Sequence, residues 1–137
     1  MIKKIANYSK AFGFLKGVEL YCRQKWSRHD YSIQLPRFLN PIFFRRTTSD
    51  FEVFRDIFVY EQYRFDWPFS CKTILDAGAN TGFSAIYFAH LFPHATILAL
   101  EPEDSNFVTL QKNTANYPNI HTVKKALWHT STRMQVA

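Results

Sequence analysis

Two carboxylates and a glycine-bracketed turn are the residues of this chain whose types and spacing could do chemistry. Asp76 follows the short apolar run Thr73-Ile74-Leu75, and the turn Ala77-Gly78-Ala79-Asn80-Thr81-Gly82 comes directly after it. Glu101 closes a second apolar run, residues 95–100, and stands 25 residues after Asp76. If each run is a strand of one parallel sheet, both acids sit at carboxyl ends, where open α/β sheets take small ligands. Glycine has no side chain to block a ligand and tolerates positive φ. Backbone N–H groups where the next helix starts would then face polar parts of that ligand. A carboxylate beside the turn can attract an ammonium group, and one on the next strand can accept from both hydroxyls of a ribose.

Other chemistries fit less well. A dinucleotide fingerprint needs G-x-G-x-x-G, but counting from Gly78 the second and third glycine positions hold Asn80 and Phe83. The phosphate loop G-x-x-x-x-G-K-[ST] is absent too. His90 and His94 have the i,i+4 spacing of a metal pair, yet Pro93 lies between them and should end the helix, so no metal site is expected. His121 and His129 stand alone. Trp26, Trp67 and Trp128 read as core or edge cover rather than stacking platforms, and Arg45-Arg46 reads equally as a solvated pair or as a contact to an anionic substrate. No residue is singled out as a catalytic base.

The elements that must position Asp76 and Glu101 follow from hydrophobic periodicity. A strand at residues 73–75 leads into the turn, a helix runs to Pro93, and a strand at 95–100 follows. Glu103-Asp104-Ser105 supplies an N-cap for a further helix, with Val108, Leu110 and Ala115 as its apolar stripe and residues 116–119 as its end. Residues 120–128 read as a third strand, 129–132 as a turn, and 133–137 as the start of a fourth strand. Upstream, Ile5, Tyr8, Phe12, Leu15, Val18 and Cys22 line one face of a helix over 5–22, although Gly13 and Gly17 weaken it. Residues 23–46 read as loop with one short strand at 31–35. Ser49-Asp50-Phe51-Glu52 forms a capping box ahead of a helix to residue 60 or 61, with Phe51, Phe54, Ile57 and Phe58 inward. Tyr63, Phe65, Trp67, Pro68 and Phe69 then make an aromatic connector. The division expected is a helical, aromatic-rich extension at 1–70 and a nucleoside-binding portion at 71–137.

At 137 residues, 47% apolar and 18% aromatic, the chain can bury a modest core and is not a disordered sequence. Residues 1–70 carry 12 Lys+Arg and 7 Asp+Glu, against 5 and 4 in 71–137. The basic front half is expected to be solvated surface, with weak membrane-surface contact through its first helix as the sharper reading and nucleic acid not expected. Cys22 and Cys71 suggest neither a disulfide framework nor a zinc site. No apolar run reaches the ~18 residues of a membrane span, and a cytoplasmic location is expected.

The run Leu75-Asp76-Ala77-Gly78-Ala79-Asn80-Thr81-Gly82-Phe83-Ser84, then Ala99-Leu100-Glu101-Pro102 and Asn106, resembles the FkbM-type S-adenosylmethionine-dependent methyltransferases. Residues 45–54, with Thr48-Ser49-Asp50, are similar to the segment before the first strand in that family. The resemblance covers residues 45–128. It implies a Rossmann-like class I methyltransferase fold, an open parallel sheet with flanking helices, here truncated after the third or fourth strand. The cofactor it implies is S-adenosyl-L-methionine. Asp76, Gly78, Ala79, Asn80, Thr81, Gly82, Phe83, Ser84, Glu101 and Pro102 would hold it, and the backbone of 126–128 would lie near its adenine. Three or four strands fall short of a doubly wound sheet, so a fragment, or a sheet completed by a partner, is expected. The activity implied is O-methylation of a sugar or small metabolite. A non-catalytic binding fragment, or a nicotinamide-dependent oxidoreductase, remains the alternative.

Overall fold

A computed structural model describes residues 2–128, which fall into two compact units divided after Phe65. The turn expected at 129–132 and the strand expected at 133–137 lie outside the described residues.

The first unit contains α1 (Ile2–Phe12), α2 (Phe14–Trp26), β1 (Tyr31–Ile33), β2 (Ile42–Phe44) and α3 (Asp50–Phe58). The single helix expected over 5–22 is instead two, broken at Gly13, whose φ of 86° is a conformation that L side chains rarely adopt. The chain folds back there. Gly17 lies so close to Ser9 that a Cβ added to it would sit 2.4 Å from the Ser9 nitrogen. Tyr8 Oη donates to Gln24 Oε1 at 3.2 Å between the same two helices. The expected strand at 31–35 stops at Ile33 and pairs antiparallel with β2, a strand in the stretch expected to be loop.

The capping box expected at Ser49 does not form. With φ −81° and ψ 10°, Ser49 lacks the extended backbone an N-cap needs, and its side chain caps nothing. Thr48 Oγ1 accepts from the Asp50 N–H instead, while the buried Asp50 carboxylate takes the Arg45 guanidinium at 2.7 and 2.9 Å. Aromatic rings fill the core of this unit. Phe54 is fully buried, with its ring centroid 5.1 Å from Phe44, 5.7 Å from Phe12 and 5.0 Å from Phe58.

The second unit contains β3 (Thr73–Ala77), α4 (Phe83–Leu91), β4 (Thr96–Leu100), α5 (Asp104–Thr114) and β5 (Ile120–Val123). It is a mixed α/β unit whose strands form a three-stranded parallel sheet in the order β3-β4-β5, with Ile74, Ile97 and Ile120 in register. That architecture is compatible with a Rossmann-like fold. Ile97, Ala99 and Ile120 are buried on the face where α4 and α5 pack. On the opposite face Leu75 and Leu98 remain 50% and 36% exposed.

Two expectations fail in this unit. The third strand ends at Val123 rather than at 128, because Lys125 N–H turns back onto the Val123 carbonyl. The stripe expected on α5 fails at Val108 and Ala115, which are exposed; the buried face carries Thr109, Leu110, Asn113 and Thr114. Thr109 and Thr114 can be buried because their hydroxyls donate back to Ser105 O and Leu110 O.

Candidate functional site

The carboxyl end of the parallel sheet gathers the residues that sequence reasoning singled out. Asp76 is the penultimate residue of β3 and registers with Ala99 on β4, two residues before Glu101. The turn from Gly78 to Gly82 leaves β3 and enters α4. Asn80 sits in it at φ 48°, a left-handed conformation that Asn tolerates better than most residues. Glu101 is 5% exposed and binds this turn directly: its Oε2 accepts from the Asn80 N–H at 2.9 Å. Its Oε1 accepts from the Glu103 N–H at 2.9 Å and from Asn106 Nδ2 at 3.5 Å. Glu103 caps α5 as expected, accepting from the N–H groups of Ser105 and Asn106.

Asp76 Oδ2 accepts from Ser84 Oγ at 2.6 Å, so β3 and the first turn of α4 are tied by one short bond. Burial pushes the Asp76 carboxyl above its ordinary range. The Ser84 hydrogen bond works against that rise, and the nearby Glu101 charge adds to it.

Four amides of the turn are engaged within the protein. Gly78 N–H and Ala79 N–H both donate to the Leu100 carbonyl, at 2.9 and 2.8 Å, and Gly82 N–H donates to Ala79 O at 2.8 Å. With Asn80 N–H held by Glu101, these four amides serve the protein itself. What the turn leaves without a partner are acceptor oxygens: Asn80 Oδ1 and Thr81 Oγ1 are buried with no hydrogen bond. The Asp76 and Glu101 carboxylates are the acidic groups at this end of the sheet. A pair of carboxylates suits cationic and hydroxyl-bearing groups and disfavours a pyrophosphate.

The two turn glycines differ. Gly78, at φ 92°, has nothing within 4 Å of an added Cβ, so its side of the turn is open to a ligand. Gly82, at φ 91°, is filled from behind: an added Cβ would lie 2.8 Å from Leu110 Cδ1 and 3.1 Å from Thr114 Cγ2. Phe83 and Ala79 are buried side chains, so only their backbone can border a ligand. Pro102 follows Glu101 half-buried. Ala126, Leu127 and Trp128, expected near an adenine from a strand end, are exposed and belong to no strand.

Sequence reasoning missed Asn113. It is fully buried on α5, and its Nδ2 donates to the Thr81 carbonyl at 3.0 Å, bracing the turn from the side of Gly82. The signal available was a polar residue three positions after Leu110, on the face that a helix must bury. His90 Nε2 lies 3.1 Å from Tyr117 Oη. Among the described residues no group of three or more His, Cys, Asp or Glu is arranged to hold a metal ion.

No family model matches this chain. It is similar to a curated protein named Methyltransferase 1 from Beauveria bassiana (strain ARSEF 2860), with 45% identity over 40 residues. The aligned stretch is 29% of this chain and 16% of that protein, so the match spans about a sixth of the relative's length. That likeness supports a methyltransferase and nothing finer. No helix among the described residues is long and apolar enough to cross a membrane.

Proposed function

We propose that the second unit is the cofactor-binding portion of an S-adenosylmethionine-dependent methyltransferase of the FkbM type, acting on a hydroxyl of a sugar or small metabolite. The reading rests on one observation: the carboxylates of Asp76 and Glu101 stand at the carboxyl ends of adjacent parallel strands, and Glu101 is bonded to the turn that leads from β3 into α4. An ammonium-bearing, ribose-bearing cation suits such a pair, and the short match to a methyltransferase supports the same class.

When bound, the cofactor supplies a methyl group made electrophilic by positive sulfur. This chain's part is to bind and orient. In this reading Asp76, held by Ser84, offers its second oxygen to the ammonium group, and Glu101 keeps lone pairs for the ribose hydroxyls after accepting from Asn80 and Glu103. The open side of Gly78 lets the ligand approach the backbone. Alignment of this kind is the main protein contribution to an in-line displacement. A base is needed only where the acceptor hydroxyl must lose its proton.

Parallel calorimetric titrations with S-adenosylhomocysteine, NADH and ADP test the reading. Heat with S-adenosylhomocysteine alone, lost in Asp76→Asn and Glu101→Gln, is expected. Binding of NADH in preference, or no heat with S-adenosylhomocysteine, refutes it.

A further inference from the structure

The whole net charge of the chain resides in the segment that holds its first two helices. Residues 1–28 carry seven Lys+Arg and one Asp+Glu, a net of +6, whereas residues 29–137 carry ten of each. Glu19, the single acid of that segment, is already engaged by Lys16 at 2.8 Å and Arg23 at 3.2 Å. Lys3, Lys4 and Lys10 are exposed on α1.

The same segment turns a pair of large apolar side chains outward. The chain reverses at Gly13, and the close Ser9–Gly17 approach makes residues 13–15 the apex of a helical hairpin. Phe14 and Leu15, at that apex, are 70% and 81% exposed, with the exposed Lys10 on one shoulder and Lys16, paired with Glu19, on the other. The inward stripe is satisfied independently, by Tyr8, Phe12, Leu20 and Tyr21, so Phe14 and Leu15 are not needed by the fold of the hairpin. Exposed adjacent apolar residues gain nothing from water and nothing from a phosphate backbone. Flanked by lysines, they match a surface that is anionic outside and hydrocarbon a few ångströms below.

We propose that the apex of the α1–α2 hairpin docks on an anionic lipid bilayer, with Phe14 and Leu15 entering the acyl boundary and the hairpin lysines meeting the headgroups. Both components are required. The lysines alone would give a salt-sensitive association with any polyanion, and the two apolar residues alone would give only marginal partition.

Co-sedimentation of the full chain with vesicles of phosphatidylcholine, with and without phosphatidylserine, tests this. Binding is expected on the phosphatidylserine vesicles, weakening as salt rises. The double substitution Phe14→Ser with Leu15→Ser leaves charge and core untouched, and should lower the partition coefficient about tenfold or more. The single substitution Phe14→Trp places an indole at the apex, whose emission should shift to the blue on those vesicles and be quenched by brominated acyl chains. Overturning results are binding that ignores the double substitution, or an indole emission at the apex that does not shift. Far-UV circular dichroism of both variants confirms that the hairpin is intact, which its exposed positions lead one to expect.

Discussion

The aromatic core of the first unit and the glycine turn of the second are held in opposite ways. Around Phe54 the contacts are ring on ring, at centroid distances between 5.0 and 5.9 Å and at many interplanar angles. Contacts of that kind add up by area and packing, and they tolerate variation in geometry. Around Asn80 the contacts are directional: a carboxylate on an amide, an amide on a carbonyl, a hydroxyl on a carboxylate. Each has one correct geometry, and each broken bond leaves a buried group unsatisfied. A packed ring cluster secures the fold of its unit, whereas a hydrogen-bonded turn holds a shape to which a ligand can fit.

The largest expected effect tests the first half of that contrast. Phe54→Ala should destabilise the first unit by about 3–5 kcal/mol, from lost transfer energy and the cavity left behind. Urea unfolding followed by near-ultraviolet circular dichroism measures it. A smaller loss than Gly82→Ala produces would break the comparison. Gly82→Ala should cost about 2–4 kcal/mol, because a left-handed backbone and a crowded Leu110 oppose it together. Gly78→Ala meets open space and should cost about 1–2 kcal/mol while lowering affinity for S-adenosylhomocysteine more than stability. Equal behaviour of the two glycine variants would show that the turn does not divide its work as described.

Next comes Asn113→Ala, expected to cost about 1–3 kcal/mol by stranding the Thr81 carbonyl. Hydrogen exchange at the amides of residues 80–83 should quicken even without ligand, which a loss of helix propensity alone would not cause. The smallest effect is on pH dependence. Burial raises the Asp76 carboxyl, so the folded state holds that proton more tightly than the unfolded one. Its contribution to stability is therefore full below the unfolded value and is lost as pH rises through the folded one. Affinity for a cationic ligand should rise over that same window as the carboxylate ionises. Both slopes should vanish in Asp76→Asn, measured by unfolding and by titration across the carboxylate range.

Much of the second unit was legible because its signals are local. Two apolar runs ending in acids, with a glycine turn between them, permit few arrangements, and Glu103 caps α5 as its position suggested. The first unit was harder. β2 is three residues behind Pro41 in an aromatic stretch without alternation, and only its pairing with β1 makes it a strand. The break at Gly13 depends on Gly17 fitting against Ser9, a contact that periodicity does not encode. The Ser49 cap lost to Thr48 and to the Arg45–Asp50 pair, which set the local backbone from five residues away. Within the candidate site, the placement of the acids and glycines at the strand ends could be read from spacing. The consumption of the turn amides could not, since it depends on where the Leu100 carbonyl ends up in space.

Glu101 reaches two loops with one side chain, the turn after β3 and the entry to α5. Bonds to both loops set the rotamer of that carboxylate, so the ligand proposed for this site would meet a group already oriented. The same fastening couples the two loops: displacing either one breaks a bond to the same carboxylate.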